Sequence, residues 1–282
     1  MEIPTVTMQN GIKMPSMVVG TFEHREKRHL DVLIRNAVDL GFRAFDTAPS
    51  YRNEAVLGEI FDCLIEEGKV RREELFIIDK IDGWQMYQEG GNVVSAVRDA
   101  LSKLRLDYLD LLLIHWPFPE YFSRTWESFV EIYRSGAAKA IGVCNVRERH
   151  LLSLVEETNF MPHVVQIERH PLNTVAGLIG LNQKFGILSQ AYSPVCRMID
   201  RIASSSVLVE ISQKHSRSVG QIIMRWHIDT GVVPVFMTTK AKRLEEYARV
   251  FEFHLGDGDV ERISALNKNY KIFLESWGCP GF

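Results

Sequence analysis

The chain is short of cysteine, of unbalanced charge and of long apolar runs, and each shortage excludes something. Its four cysteines, at 63, 144, 196 and 279, are far apart and form no CxxC pair. That spacing argues against a zinc cluster and against a disulfide framework, so no metal is expected. Reduced thiols fit a cytoplasmic protein. The 33 Lys and Arg nearly balance the 36 Asp and Glu, for a net charge of −3. Such a balance argues against nucleic acid or an anionic membrane as partner. The longest apolar stretches, such as LLLI at 111–114, are far too short to span a bilayer. The first residues, MEIPTVTMQNGIKMP, lack the basic start and apolar run of a secretory signal. Also missing are a GxGxxG after the first strand and a P-loop. A Rossmann dinucleotide site is therefore not expected, and any nucleotide must be held another way.

What is present is ordinary globular usage, 46% apolar and 24% charged. Division by a usual domain size suggests about two domains, yet a strand–helix barrel fills about 250 residues as one. Periodicity decides between them. Eight short β-rich runs recur: VVGTF (18–22), FRAFDTA (42–48), LFIIDKI (75–81), YLDLLLIH (108–115), AIGVCN (140–145), VVQIERH (164–170), ILSQAYS (187–193) and VVPVFMT (232–238). Amphipathic stretches separate them. In 27–39, Leu30, Leu33, Ile34, Ala37 and Val38 share one helical face, as do Val56, Leu57, Ile60, Leu64 and Ile65 in 53–68. Ser218 reads as the N-cap of a helix carrying Ile222, Ile223 and Trp226. TVTMQNGIKM reads as a hairpin with a two-residue primed turn at Asn10–Gly11. The stretch 196–217 reads as an extra loop and helix, 257–268 as a further helix, and YKIFLESWGCPGF as an irregular tail. The expectation is an α/β chain with one (β/α)8 TIM-barrel domain over 1–282, an N-terminal β-hairpin cap, and a C-terminal extra helix and tail. A monomer is expected.

In such barrels the chemistry sits at the C-terminal ends of the strands. The polar residues there are Asp46, Tyr51, Lys80, His115, Cys144, Asn145, Gln166, Glu168, His170, Tyr192 and Ser193. The first four form a coherent set. A free tyrosine titrates near pH 10, and a neighbouring ammonium lowers that value. Lys80 can supply the ammonium and Asp46 can hold it. His115 can orient a carbonyl oxygen. The result is a general acid aimed at an oxygen that gains charge when a hydride reaches its carbon. A buried lysine can instead act as the Schiff-base nucleophile of a lyase.

The run DTAPSYRNE (46–54) resembles the aldo-keto reductase signature D-T-A-x-x-Y-x-N-E. The likeness continues, in the family's order, through LLLIHWP (111–117), GVCN (142–145), QIERHP (166–171), AYSP (191–194) and RWHIDTGVVPV (225–235). The resemblance implies a (β/α)8 barrel that reversibly reduces an aldehyde or ketone with a nicotinamide cofactor. It makes Tyr51 the proton donor, Asp46 and Lys80 its tuning pair, and His115 the orienting residue. It stacks Tyr192 on the nicotinamide, gives the carboxamide to Asn145 and Gln166, sets Ser193 near the pyrophosphate, and brings Gly20 and Thr21 in from the first strand. His170 and Trp226 read as structural within it.

Several positions depart from the family's pattern. Cys144 replaces a serine near the carboxamide, and sulfur is a weaker hydrogen-bond partner. Val165 replaces the asparagine before Gln166. At the adenosine end, VFMT (235–238) stands for I-P-K-S, so Met237 replaces the phosphate lysine, and Tyr247 replaces the adenine-contacting asparagine. Arg243 and Glu246 remain. Arg243 can grip a 2′-phosphate at a helix start, with Thr238, Thr239, Lys240 and Lys242 near it. NADP(H) is therefore expected as the preferred cofactor, with weakened selectivity over NAD(H). Phe22, Trp84 and Trp116 are the expected pocket walls for a small carbonyl substrate, with Phe118, Tyr121 and the tail's Trp277 beside them. The rival readings are a non-enzymatic nicotinamide-binding or regulatory barrel and a Lys80 Schiff-base lyase. The intact set of four and the DTAPSYRNE run weigh against them.

Overall fold

The computed structural model describes residues 3–24, 26–238, 240–274 and 279, so Thr239 and Trp277 lie outside the described residues. The chain opens with the expected hairpin, β1 (Thr5–Thr7) against β2 (Lys13–Pro15), antiparallel with Val6 opposite Met14. Its turn differs from the expected one. Gly11 N donates to Met8 O at 2.9 Å, and Met8 N donates to Ile12 O at 2.9 Å. Gly11 alone is left-handed there, at φ +83°, and Asn10 is not. That is a three-residue connection with a glycine bulge, not a primed two-residue turn. The Asn10 side chain accepts from Ile12 N, which satisfies the turn locally.

Eight parallel strands then close a barrel in sequence order: β3 (Val18–Gly20), β4 (Ala44–Asp46), β5 (Phe76–Ile81), β6 (Leu111–Ile114), β7 (Ile141–Cys144), β8 (Val164–Glu168), β9 (Leu188–Tyr192) and β10 (Val232–Phe236), which returns to β3. Each lies inside one of the eight apolar runs. Side chains alternate along a strand, and the two faces meet different partners. Val18, Ala44, Phe76, Ile78, Leu111, Leu113, Val164, Val233 and Val235 pack around the axis. Val19, Phe45, Ile77, Leu112, Ile141, Val143 and Val165 pack outward against the helices. Met8 and Met14 of the hairpin join the axial cluster. Gln9 and Asn10 donate to Pro162 O and Lys139 O, just ahead of β8 and β7, so the hairpin plugs the N-terminal end.

The outer ring follows the expected helical faces. Helices α1 (Lys27–Asp39) and α2 (Glu54–Glu66) occupy the two predicted stretches, and α1 buries all five of its predicted residues. Next come α3 (Gly83–Gln88), α4 (Val94–Leu104), α5 (Phe122–Ser135), α6 (Glu148–Thr158) and α7 (Ala176–Lys184). The surplus segment forms α8 (Asp200–Ala203) and α9 (Ser206–His215). Helix α10 (Val219–Asp229) begins at Ser218, whose Oγ accepts from Gln221 N while Gln221 Oε1 accepts from Ser218 N. That reciprocal pair is a capping box. Helices α11 (Ala241–Ala248) and α12 (Asp257–Ser264) complete the ring, and Ile211, Ile222, Trp226 and Ile263 make a separate cluster joining α9, α10 and α12.

Candidate active site

The inward alternation explains which side chains reach the mouth. Two residues beyond the last axial apolar position, the same face carries Gly20 after Val18, Asp46 after Ala44 and Lys80 after Ile78. His115 follows Leu113, Gln166 follows Val164, and Met237 follows Val235 in the same way. The core ends and polar chemistry begins at one level of the barrel.

Lys80 has no exposed side-chain surface. Its Nζ donates to Asp46 Oδ1 at 2.6 Å and to Thr47 O at 2.8 Å. Asp46 Oδ2 accepts from Gln166 Nε2 at 3.0 Å, and Gln166 also donates to Gln190 Oε1 at 2.8 Å. Tyr51 ends a single 3-10 turn after β4, and Lys80 Nζ lies 5.2 Å from its ring centre. Asn53 ties down this loop: its Nδ2 donates to Thr21 O and His24 O, and its Oδ1 accepts from Thr47 Oγ1. Burial alone would pull the Lys80 ammonium down, but the Asp46 carboxylate holds it above the usual lysine range.

Lys80 lowers the Tyr51 phenol as expected, but burial outweighs it. Burial pushes the Tyr51 phenol above its ordinary value, and Lys80 offsets this only in part. Desolvation of the phenolate outweighs the attraction of the nearby ammonium.

His115 meets a partner that the expected strand-end set did not include. Its Nδ1 lies 2.5 Å from Asp82 Oδ1, and Asp82 Oδ2 accepts from Ser50 N at 2.8 Å. Burial works to raise the Asp82 carboxyl, but the bond from His115 and the Ser50 amide hold it below its ordinary range. The signal for it is the period-two alternation, since Asp82 is the next inward position after Lys80. Asn145 donates from Nδ2 to His115 O at 2.9 Å and accepts from Tyr192 OH at 2.7 Å. Asn145 and Ser193 are left-handed, at φ +59° and +50°, and non-glycine residues held in such conformations cluster at ligand sites. Cys144 is buried and its thiol is pushed up by desolvation, so it is not a ready thiolate. Its Sγ lies 3.9 Å from Gln166 Oε1.

Asp46, Tyr51, His115, Asn145 and Gln166 line a cavity of about 360 Å³ walled by Phe22, Trp116, Tyr192, Phe273 and Leu274. It continues as a trough past Ser193, Pro194, Val195 and Arg197 to Val235, Phe236 and Met237. Phe273 lies outside the expected set of walls. Its place follows from Glu168, whose carboxylate accepts from Ile272 N at 2.6 Å and Phe273 N at 2.9 Å. His170 Nε2 bonds the same carboxylate, so this strand-end pair anchors the tail over the cavity. Phe273 then meets Phe22 and Tyr192 edge-on.

Several expected site residues lie elsewhere. Trp84 is 53% exposed on α3 and is not a cavity wall. Phe118 packs over Gly83 at the start of that helix, and Tyr121 packs on Tyr87. Thr21 is fully buried, with Oγ1 bonded to Asp46 O, so it joins β3 to β4 instead of lining the cavity. Tyr247 is 1% exposed, edge-on to Phe236, with its hydroxyl facing Gly220. Glu246 is engaged by Ser218 Oγ. Both are turned toward α10, because the apolar stripe of α11 includes Leu244, Tyr247 and Ala248. Met237 stays 41% exposed at the trough, Thr238 Oγ1 accepts from Lys240 N, and half-buried Arg243 sits in the first turn of α11. Among the described residues no group of three His, Cys, Asp or Glu is arranged to hold a metal, and no helix is long and apolar enough to cross a membrane.

A closed parallel barrel that gathers a phenol, a buried ammonium–carboxylate pair and an imidazole at its mouth has the layout of a barrel enzyme. Sequence comparison gives the particular lineage. The Aldo/keto reductase family profile matches residues 11–197 and 200–268. An uncharacterized oxidoreductase of Bacillus subtilis (strain 168) is 38% identical over 266 residues, covering 94% of each chain. A glyoxal reductase of the same organism is 36% identical, over 95% of this chain and 94% of its own. An aldo-keto reductase of Bombyx mori, solved in complex with NADP, superposes with a TM-score of 0.89 at 30% identity, over 98% of this chain and 96% of its own. The chain belongs to the aldo/keto reductase family.

Proposed function

We propose that the protein reduces a small aldehyde or ketone to an alcohol with NADPH. The observation that carries this reading is the buried Lys80–Asp46 pair, 2.6 Å apart, with Lys80 near the Tyr51 ring and Asp46 and Tyr51 both lining the cavity. The donor set fits a nicotinamide. Tyr192 offers a planar ring face at the cavity wall, Gln166 Oε1 is met among the described residues only by the Cys144 thiol and can accept from a carboxamide, and Asn145 keeps a second amide proton for one. Ser193 and the trough to Met237 give a path for the rest of the cofactor, with Gly20 on its other side. When bound, the reduced nicotinamide supplies a hydride to the carbonyl carbon.

Tyr51 donates its hydroxyl proton to the substrate oxygen, and Lys80 stabilises the phenolate left behind. Asp46 holds Lys80 charged and aimed. His115 orients the carbonyl, and Phe22, Trp116 and Phe273 exclude water and favour a compact apolar substituent. At the outer end Arg243 grips the 2′-phosphate of NADP(H), the preferred cofactor, with Lys240 and Lys242 nearby. Met237 gives no charge there, so NAD(H) is also accepted. Glyoxal-like carbonyls are the substrate class that the named Bacillus subtilis relative suggests. The four free cysteines support a cytoplasmic setting. One barrel domain acting as a monomer would carry the whole activity.

The test is a nicotinamide-fluorescence titration with NADPH and NADH, followed by turnover on a panel of aldehydes and ketones. Binding of NADPH and reduction of at least one aldehyde are expected. Failure to bind either cofactor would overturn the reading. Equal or better kcat/KM with NADH would overturn the NADP(H) preference alone.

A further inference from the structure

Asp82 has no part in the mechanism above, yet it is the inward residue next to Lys80 and it contacts His115 directly. Its carboxylate is 10% exposed, and its two oxygens are committed to two different elements. Oδ1 takes the His115 ring at 2.5 Å, and Oδ2 takes the Ser50 amide, one residue before Tyr51. Its backbone N also bonds Gln85 Oε1 at the start of α3, so the side chain has little freedom to turn away. Tyr51 also meets the imidazole edge-on, with ring centres 6.0 Å apart.

The consequence is one of proton inventory. A carboxylate accepts and does not donate, so the proton in the 2.5 Å contact belongs to His115 Nδ1. A neutral imidazole carries one ring proton. With that proton on Nδ1, Nε2 presents a lone pair to the cavity and repels a carbonyl oxygen. For Nε2 to donate to the substrate, the ring must hold both protons. Asp82 is the group that favours that cation.

We propose that Asp82 is a positioning residue for carbonyl reduction, fixing His115 in its Nδ1–H form and making the doubly protonated ring the form that receives the carbonyl. This rests on the carbonyl-reductase reading. Tyr51 still gives the proton, from its hydroxyl to the substrate oxygen, while His115 keeps both of its own and only donates a hydrogen bond. The charged and titratable groups facing His115 are Asp82 from the start of α3, Tyr51 from the turn after β4, and the Lys80–Asp46 pair from β5 and β4. Lys80 is already neutralised by Asp46 at 2.6 Å. Asp82 is therefore the anion left to balance a second ring proton.

The test pairs a spectroscopic readout with kinetics, on the full chain. Nitrogen-15 NMR of histidine-labelled protein, with His115→Gln for assignment, should show the neutral His115 ring protonated at Nδ1. A ring protonated at Nε2 would overturn the proposal. In kinetics, kcat/KM for aldehyde reduction should fall at high pH, and Asp82→Asn should move that fall to lower pH by about one unit or more. At pH 8 the variant should then be about tenfold slower, with the two enzymes converging near pH 5. Asp82→Ser keeps a capping side chain for α3 and should behave like Asp82→Asn. If it restores the wild-type profile, the role is helix capping and the proposal fails. Asp82→Asn should have no further effect in a His115→Gln background, and an equal loss in both backgrounds would also refute it. A wild-type protein that binds NADPH but reduces no aldehyde, with the Nδ1 proton in place, would refute the reductase reading and leave the tautomer assignment standing.

Discussion

The two ends of the cleft are built differently. At the inner end Asp46 bonds both Lys80 and Gln166, Lys80 is wholly buried, and His115 is pinned through Asp82 to the loop bearing Tyr51. At the outer end Met237 is exposed, Tyr247 has turned into the core, and Glu246 is engaged by Ser218, which leaves Arg243 as the matching cation. The difference teaches that proton transfer needs atoms fixed to within a fraction of an ångström, whereas a phosphate can be gripped by any cation in reach.

Breaking the inner end gives the largest expected effects. Tyr51→Phe should lower kcat for aldehyde reduction by about 10³-fold, within the range for removing a general acid. It should leave NADPH affinity within about twofold, read by nicotinamide fluorescence. Lys80→Met leaves the Asp46 carboxylate buried without its cation, which costs about 3–5 kcal/mol. Urea unfolding should register that loss alongside the loss of turnover.

The outer end should respond more mildly and only toward one cofactor. Arg243→Ala should weaken NADPH binding about tenfold, the size of one lost charged contact, and leave NADH within about twofold. Met237→Lys should do the reverse and tighten NADPH alone. Equal effects on both cofactors would remove the phosphate from the account of this end.

The smallest effect comes from the outward face of β5. Asp79 is buried there, and desolvation, then the neighbouring Glu54 carboxylate, push it well above its ordinary range. A carboxyl raised in the folded state gives its full stabilisation below the unfolded value, near pH 4. That stabilisation is lost as pH rises through the raised value. Asp79→Asn removes this loss and keeps an acceptor for Lys80 N. Tm should rise by a few °C at pH 8, about what 1 kcal/mol does in a chain of this size, and by less at pH 5.

The alternation along each strand is legible in the sequence, and with it Asp46, Lys80, His115 and Gln166 at one level of the mouth. Asp82 is equally legible, as one more step of two past Lys80, but it lies beyond the apolar run that marks the strand. Trp84 and Tyr247 mislead for a different reason. An aromatic residue near a strand end reads the same whether its helix turns it toward the cavity, toward solvent or into the core. Phe273 has no local signal, because its position depends on Glu168 more than a hundred residues earlier.

Local order along the chain therefore determined the barrel, the face of each strand that looks inward, and the placing of Asp46, Lys80, His115 and Gln166 at its mouth, since all of these follow from period-two side-chain direction in strands joined by helices. Only closure of the barrel decided that Asp82 would hold His115, that burial would raise the Tyr51 phenol by more than Lys80 lowers it, and that Tyr247 would pack on Phe236. Those outcomes depend on which groups are removed from water together, and desolvation is a property of the assembled molecule and not of any segment of it.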